Sequence, residues 1–312
     1  VEIAKRISVF GATGGQGGGV VSALLKAIKR GENYAVRALT RNPDGAKGQG
    51  LKSKGCEVVK CDLDDKESVE KAIHGFYGVF LVTNYWEHFS KEKEIEQGKR
   101  VIDVCEALGV NHLIYSGLEH VKKVIGIECA HFDSKGIVEE YLHTKKPKDK
   151  LNFTIVRFPG YFDNFMTRPR RLDENTFVYD IPMEGAPVDA IDVKQGGECV
   201  YGILKDPDCF RFKTIGLSAD QLTIQQYCDI LSEHLSPKTF QDSKITLDQF
   251  RALGFPGAVE LGNMFEYYKR GNPDCDIELT KKLNPDLQGF EAWVKANKEM
   301  LENNFNSLNI ES

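Results

Sequence analysis

One rhythm constrains this chain more than any other feature. Short apolar runs at residues 7–10, 36–39, 57–60, 79–82, 113–115 and 154–156 alternate with helix-length segments at 17–30, 43–54, 66–74, 90–108 and 131–144. The runs are rich in Val, Ile and Phe, and each reads as a buried strand. Asp65 and Ser90 stand where helix caps belong. Parallel strands require crossover connections, and those are right-handed, so the repeat predicts a doubly wound parallel α/β sheet. The chain is 312 residues long, and its rhythm breaks near Phe158. We therefore expect a sheet domain over 1–158, rejoined by 188–216 through a helix at 193–204 and a strand at 212–215. A smaller, helix-rich C-terminal lobe over 159–312 would form a cleft with it. That lobe should hold a hairpin at 176–188 and helices at 223–235, 247–253, 258–269 and 287–303, with breaks at Pro237, Pro256, Pro273 and Pro285.

Charge and cysteine usage exclude several classes. Lys and Arg total 41 against 46 Asp and Glu, a net charge of −5, with no long block of one sign, which argues against nucleic-acid or anionic-membrane binding. No apolar run approaches the roughly 18 residues of a bilayer span, and the first residues lack a basic segment followed by an apolar one, so a soluble, unexported chain is expected. The eight cysteines are scattered, with no C-x-x-C pair and no Cys/His spacing suited to zinc. They read as reduced thiols in a cytosolic or nuclear compartment, without a metal site.

Gly11-Ala12-Thr13-Gly14-Gly15-Gln16-Gly17 joins the first expected strand to the first helix. A pyrophosphate needs backbone N–H groups at a helix N-terminus and no Cβ atoms to hold it off, and glycine at Gly14 also permits a left-handed backbone. A dinucleotide site is therefore expected over Gly11, Ala12, Thr13, Gly14, Gly15 and Gln16. Strand two reads Tyr34-Ala35-Val36-Arg37-Ala38-Leu39-Thr40-Arg41. The acid that would accept the ribose 2′-hydroxyl of NAD is missing from its end, whereas Arg41, with Arg37, can fork onto a 2′-phosphate. The alternatives are a solvated surface charge for Arg41 and an ordinary salt bridge for Arg37. The sequence thus predicts NADP(H), contacted also by Ala38, Leu39 and Thr40.

The G-x-x-G-x-x-G spacing, together with Thr40-Arg41-Asn42-Pro43, resembles the atypical short-chain dehydrogenase/reductase superfamily. Val82-Thr83-Asn84-Tyr85-Trp86, Tyr115-Ser116-Gly117-Leu118-Glu119, His131-Phe132-Asp133-Ser134-Lys135-Gly136 and Leu253-Gly254-Phe255-Pro256-Gly257-Ala258 narrow the likeness to the NmrA-like family. Within it the chain is most similar to the animal branch regarded as sensing NADPH. The resemblance implies a Rossmann-type NADP domain. It implies adenine contacts at Asp62 and Leu63, and ribose or nicotinamide contacts at Thr83, Asn84, Tyr85, Lys135, Gly160, Tyr161, Phe162 and Asp163. The residue-level alternative for Tyr85 and Trp86 is aromatic core filling.

Short-chain reductases use Ser, Tyr and Lys, the tyrosine exchanging a proton while hydride moves. Ser116 ends strand five and Lys135 opens the following helix, but four residues before Lys135 stands His131. Tyr141-Leu142-His143-Thr144-Lys145 also fits Y-x-x-x-K, yet it lies well along the helix, away from the strand ends. The sequence therefore assigns no catalytic residue; His131, Lys135 and Ser116 are the weak candidates. The expected function is an NADP(H)-binding redox sensor that signals through a conformational change to a protein partner; the other expected assembly is a homodimer. The alternative is an NADPH-dependent reductase of carbonyls or quinones.

Overall fold

A computed structural model of the chain describes residues 3–145, 151–164, 169–272 and 274–310, so that Pro273 lies outside the described residues. Seven parallel strands form its main sheet: β1 (Lys5–Val9), β2 (Tyr34–Thr40), β3 (Glu57–Lys60), β4 (Gly78–Leu81), β5 (His112–Gly117), β6 (Phe153–Arg157) and β11 (Thr214–Gly216). Their order is β11-β6-β5-β4-β1-β2-β3. The chain runs outward from β1 to β3, then returns to place β4 on the other side of β1, so the topological switch lies between β1 and β4. Every residue of β4 and β5 is buried, as central strands covered on both faces must be.

The crossovers are α1 (Gly15–Lys29), α2 (Ala46–Ser53), α3 (Lys66–Ile73), α4 (Lys91–Ala107) and α6 (Ala130–His143). Asp65 and Ser90 cap α3 and α4, accepting from Glu67 N at 3.0 Å and Lys93 N at 3.2 Å. The helix α7 (Val193–Lys205) packs on α1 through glycine: a Cβ on Gly197 would lie 2.1 Å from the carbonyl carbon of Gly19. Backbone contacts group Val1–His120, Ala130–Phe158 and Val193–Gly216 into one unit, and Val121–Cys129, Pro159–Asp192 and Leu217–Ser312 into a second. The second unit holds two three-stranded sheets and the helices that follow Thr223. Phe162, Phe290 and Trp293 form part of its core, with ring centroids 5.1–5.8 Å apart.

Several expectations are corrected. The hairpin at 176–188 does not form: β9 (Thr176–Tyr179) pairs with β8 (Arg170–Arg171) and β13 (Thr239–Asp242), while β10 (Val188–Ile191) joins β7 (Gly160–Tyr161) and β12 (Asp220–Leu222). Pro182 and Pro187, which cannot donate to a ladder, flank left-handed Glu184 and Gly185 and send the two strands to different sheets. Because β10 belongs to the second unit, the return to the first begins at Val193, not at 188. The helix expected at 287–303 divides at Asn297, whose side-chain amide donates to Trp293 O at 2.8 Å. A short helix, α5 (Val121–Ile125), follows β5.

The join of β1 to α1 depends on Gly17. A Cβ there would lie 2.4 Å from Gly11 O and 2.5 Å from Phe10 O. Gly17→Ala is expected to lower the unfolding free energy by about 1–3 kcal/mol, read from urea denaturation. Wild-type stability in that variant would mean that the helix does not approach the strand this closely.

Candidate functional site

The loops at the carboxyl ends of β1, β2 and β4 converge beside the switch point, where open α/β sheets bind ligands. Gly11 takes φ +62°, a left-handed backbone that a side chain resists, and a Cβ there would also meet Val82 Cγ1 at 2.6 Å. Gly14 N donates to Gly11 O at 2.9 Å and closes the turn. Contrary to the sequence reading, Gly14 is not left-handed: it has φ −97°, extended, and serves as the N-cap of α1. No side chain caps α1, and no acid lies in its first turn. A 15-residue helix thus presents the positive end of its dipole behind exposed Gly11, Gly14 and Gly15. Ala12 is buried and Thr13 half-buried. Gln16 accepts a hydrogen bond from the Ser116 hydroxyl at 2.6 Å, tying the first helix to the end of β5.

The residues after β2 divide sharply. Ala38 and Leu39 are core residues. Thr40 O accepts from Cys61 N at 3.0 Å. Arg37 does not join the turn: its guanidinium donates to Ala72 O at 2.9 Å and Glu57 Oε1 at 2.7 Å and lies 4.3 Å from the Phe76 ring centre. The sequence placed it at the phosphate because spacing along a strand does not reveal which end its side chain serves. Arg41 lies past the strand end with its side chain 60% exposed, ion-paired with Glu87. After β3, Asp62 Oδ1 accepts from Asp64 N at 2.9 Å, and Leu63 O accepts from Arg100 at 2.6 Å.

A buried polar cluster lies after β4. The Lys135 ammonium donates to Thr83 O at 2.9 Å, Thr83 Oγ1 at 2.8 Å and Glu94 Oε1 at 2.6 Å. Thr83 donates in turn to Glu94 at 2.7 Å, and Ser134 completes the set on the second carboxylate oxygen. Glu94 is fully buried. Burial alone would push its carboxyl up, but the Lys135 charge and the hydrogen bonds from Lys135, Ser134 and Thr83 hold it below the ordinary carboxylate range. Asn84 is exposed and precedes a 3₁₀ turn, Tyr85–Glu87. Within that turn Tyr85 and Trp86 form an aromatic group with His131, at centroid distances of 6.0 and 4.9 Å from its ring.

Of the weak catalytic candidates, Ser116 and Lys135 have the partners just described, and His131 is buried among those rings. Tyr115, beside Ser116, is no substitute acid: burial pushes its phenol well above the usual range, and the Glu94 and Glu139 carboxylates add to the effect. The Tyr141 hydroxyl donates to Asp103 on α4 at 2.6 Å, and Lys145 reaches Asp103 and Glu106 at 2.8 and 2.7 Å, a cluster on the outer side of two helices. Gly160, Tyr161, Phe162 and Asp163 belong to the second unit. There Gly160 and Tyr161 form β7, Phe162 N donates to Ile191 O at 3.0 Å, and the Phe162 ring is core.

Sequence reasoning missed Glu94, Ser134 and Glu87. Glu94 had a signal: it begins the i, i+3, i+4, i+7 stripe of Gln97, Gly98 and Val101 that α4 buries, so a carboxylate at its head needs a buried cation.

The fold is a Rossmann-type parallel sheet with a glycine turn at its switch point, and comparison with known proteins specifies the group. The model of the NmrA-like family matches residues 4–294, and the chain belongs to that family. An NmrA-like family domain-containing protein of Dictyostelium discoideum is 33% identical over 245 residues, 76% of this chain and 79% of its own. The NmrA-like family domain-containing oxidoreductase ptmS of Penicillium ochrochloron is 26% identical, covering 93% and 96%. Among solved structures, the negative transcriptional regulator NmrA in complex with NADP shares the fold at a TM-score of 0.79, 19% identity and 99% coverage of both chains. The same regulator with NAD gives 0.78. Similarity to an animal NADPH sensor in particular does not emerge; the relatives named here are amoebal and fungal.

The buried pair yields a prediction. Lys135→Met leaves a carboxylate buried without its cation, at a cost of about 3–5 kcal/mol near neutral pH. In the wild type Glu94 titrates below its unfolded value of about 4.3, so its stabilisation is present above that value and is lost as pH falls through the folded one. In the variant the sign reverses, because the carboxyl is raised. The gap between wild type and variant in urea unfolding should be largest at pH 7 and narrow toward pH 4; a gap independent of pH would contradict the assignment.

Proposed function

We propose that this chain binds NADP(H) and reports its level to a protein partner, or through a homodimer, in the cytosol or nucleus, rather than consuming it. The observation that carries the cofactor reading is the uncapped N-terminus of α1 behind Gly11, with the Arg41 guanidinium at the end of the neighbouring strand. The turn suits a pyrophosphate, since it offers the uncapped N–H groups of a helix N-terminus. Arg41 suits a 2′-phosphate, to which it can present two donors. The NmrA structure with NADP supports the same choice, and its structure with NAD leaves the preference to be measured on this chain.

The sensing part rests on the catalytic set. Bound NADPH supplies a hydride, but a reductase must also deliver a proton, and the position four residues before Lys135 holds His131 among aromatic rings. The three N–H donors of Lys135 are on Thr83 O, Thr83 Oγ1 and Glu94, so holding ribose hydroxyls, a role that requires no proton transfer, would need one of the Thr83 bonds to be exchanged. A reductase is the second reading, favoured by the oxidoreductase name of the Penicillium relative. In it His131 would be the donor.

Arg41→Glu should weaken NADPH binding by about 1.5–3 kcal/mol while NADH affinity holds or rises, read by fluorescence titration. A variant that still prefers NADPH would defeat the assignment. Gly14→Val should keep the fold and abolish binding of both cofactors. For sensing against turnover, absorbance at 340 nm of bound NADPH should persist with simple carbonyls and quinones added. Steady oxidation that is lost in His131→Ala would establish the reductase instead.

A further inference from the structure

The Arg41–Glu87 ion pair is more than a surface contact, because of where its two ends are rooted. Arg41 directly follows β2, and Glu87 ends the 3₁₀ turn that follows β4. In the sheet β4 and β2 lie on either side of β1. The pair therefore bridges the carboxyl end of β1, above the glycine turn that opens α1. The 2′-phosphate of a dinucleotide held at that turn would compete with Glu87 for the same guanidinium.

We infer that Glu87 is a specificity-determining residue: it occupies Arg41 until a 2′-phosphate displaces it, and a cofactor without that phosphate leaves the pair closed. This rests on the reading of Arg41 as the 2′-phosphate ligand. Both partners are substantially exposed, with side chains 60% and 38% accessible, so the pair is a weak surface bridge. A phosphate with its higher charge and several acceptor oxygens forms the stronger, two-pronged contact. The displaced carboxylate keeps a cation nearby, since Lys93, bound to Asp64 at 2.7 Å, also feels the charge of Glu87.

The turn that carries Glu87 is built to respond. It is followed by Phe89, a non-glycine residue at φ +53°, and both Trp86 and Phe89 are exposed. Release of Glu87 frees this aromatic segment from its tether to β2. NADP(H) and NAD(H) then leave different surfaces, the differential interaction that a ligand-driven shift requires.

The test uses the full chain carrying Trp293→Phe, so that Trp86 is the remaining tryptophan. NADP+ and NAD+ are titrated into this protein and into its Glu87→Gln and Glu87→Ala variants by calorimetry, with Trp86 fluorescence followed in parallel. Both variants should bind NADP+ about 1.5- to fivefold tighter, the range a weak competing bridge allows. With Glu87 present, the Trp86 signal should change more with NADP+ than with NAD+, and this difference should shrink in the variants. Unchanged or weaker NADP+ binding in both variants overturns the inference, as does a rise in the NADP+/NAD+ ratio that comes only from weaker NAD+. If Arg41→Glu itself leaves the cofactor preference intact, the reading of Arg41 fails first; if Arg41 proves necessary and the Glu87 variants do nothing, only the inference about Glu87 falls.

Discussion

Everything at the site depends on how closely α1 can approach β1. Gly17 lets the helix start against the carbonyls of Phe10 and Gly11, and Gly11 turns the chain through a left-handed backbone so that the helix points its N-terminus outward. A Cβ at Gly17 would push helix and strand apart, and one at Gly11 would strike Val82 as well as straining a left-handed backbone. The far side of α1 is fixed in the same way, by Gly19 and Gly197 against α7. Glycine here sets the spacing of two helices and a strand, and the exposed turn is what that spacing leaves open.

Charge is distributed around this turn in two different states. Glu94 is buried and Lys135 part-buried over it, the two mutually satisfied with Thr83 and Ser134 completing the shell, so that separating them is what costs energy. Arg41 and Glu87 are exposed and joined weakly. A phosphate can exchange with the second pair at little cost, whereas displacing the first would leave a buried carboxylate alone. The site thus has a rigid side at the end of β4 and an exchangeable side at the end of β2.

The sheet and the turn were legible in the sequence because apolar runs and glycine spacing are local signals that tertiary contacts reinforce. The caps at Asp65 and Ser90 follow from the same local chemistry. Arg37, within β2, and Arg41, just past its end, show the limit: Arg37 is held away from the turn by a carboxylate and a carbonyl, Glu57 and Ala72, that come from elsewhere in the chain. The hairpin expected at 176–188 failed for a related reason, since which sheet a short strand joins depends on partners as distant as β12 and β13. Glu94 was readable in principle as a charge on an apolar stripe, but its cation, 41 residues later, was not.

The central claim is that the glycine turn and Arg41 together recognise a 2′-phosphorylated adenine dinucleotide. Calorimetric titration of the wild-type chain with 2′-phospho-ADP-ribose and with ADP-ribose tests it most directly, because neither ligand carries a nicotinamide and no turnover can intervene. The account predicts that both bind, the phosphorylated one at least tenfold tighter. Equal affinity for the two, or binding of neither, would contradict it.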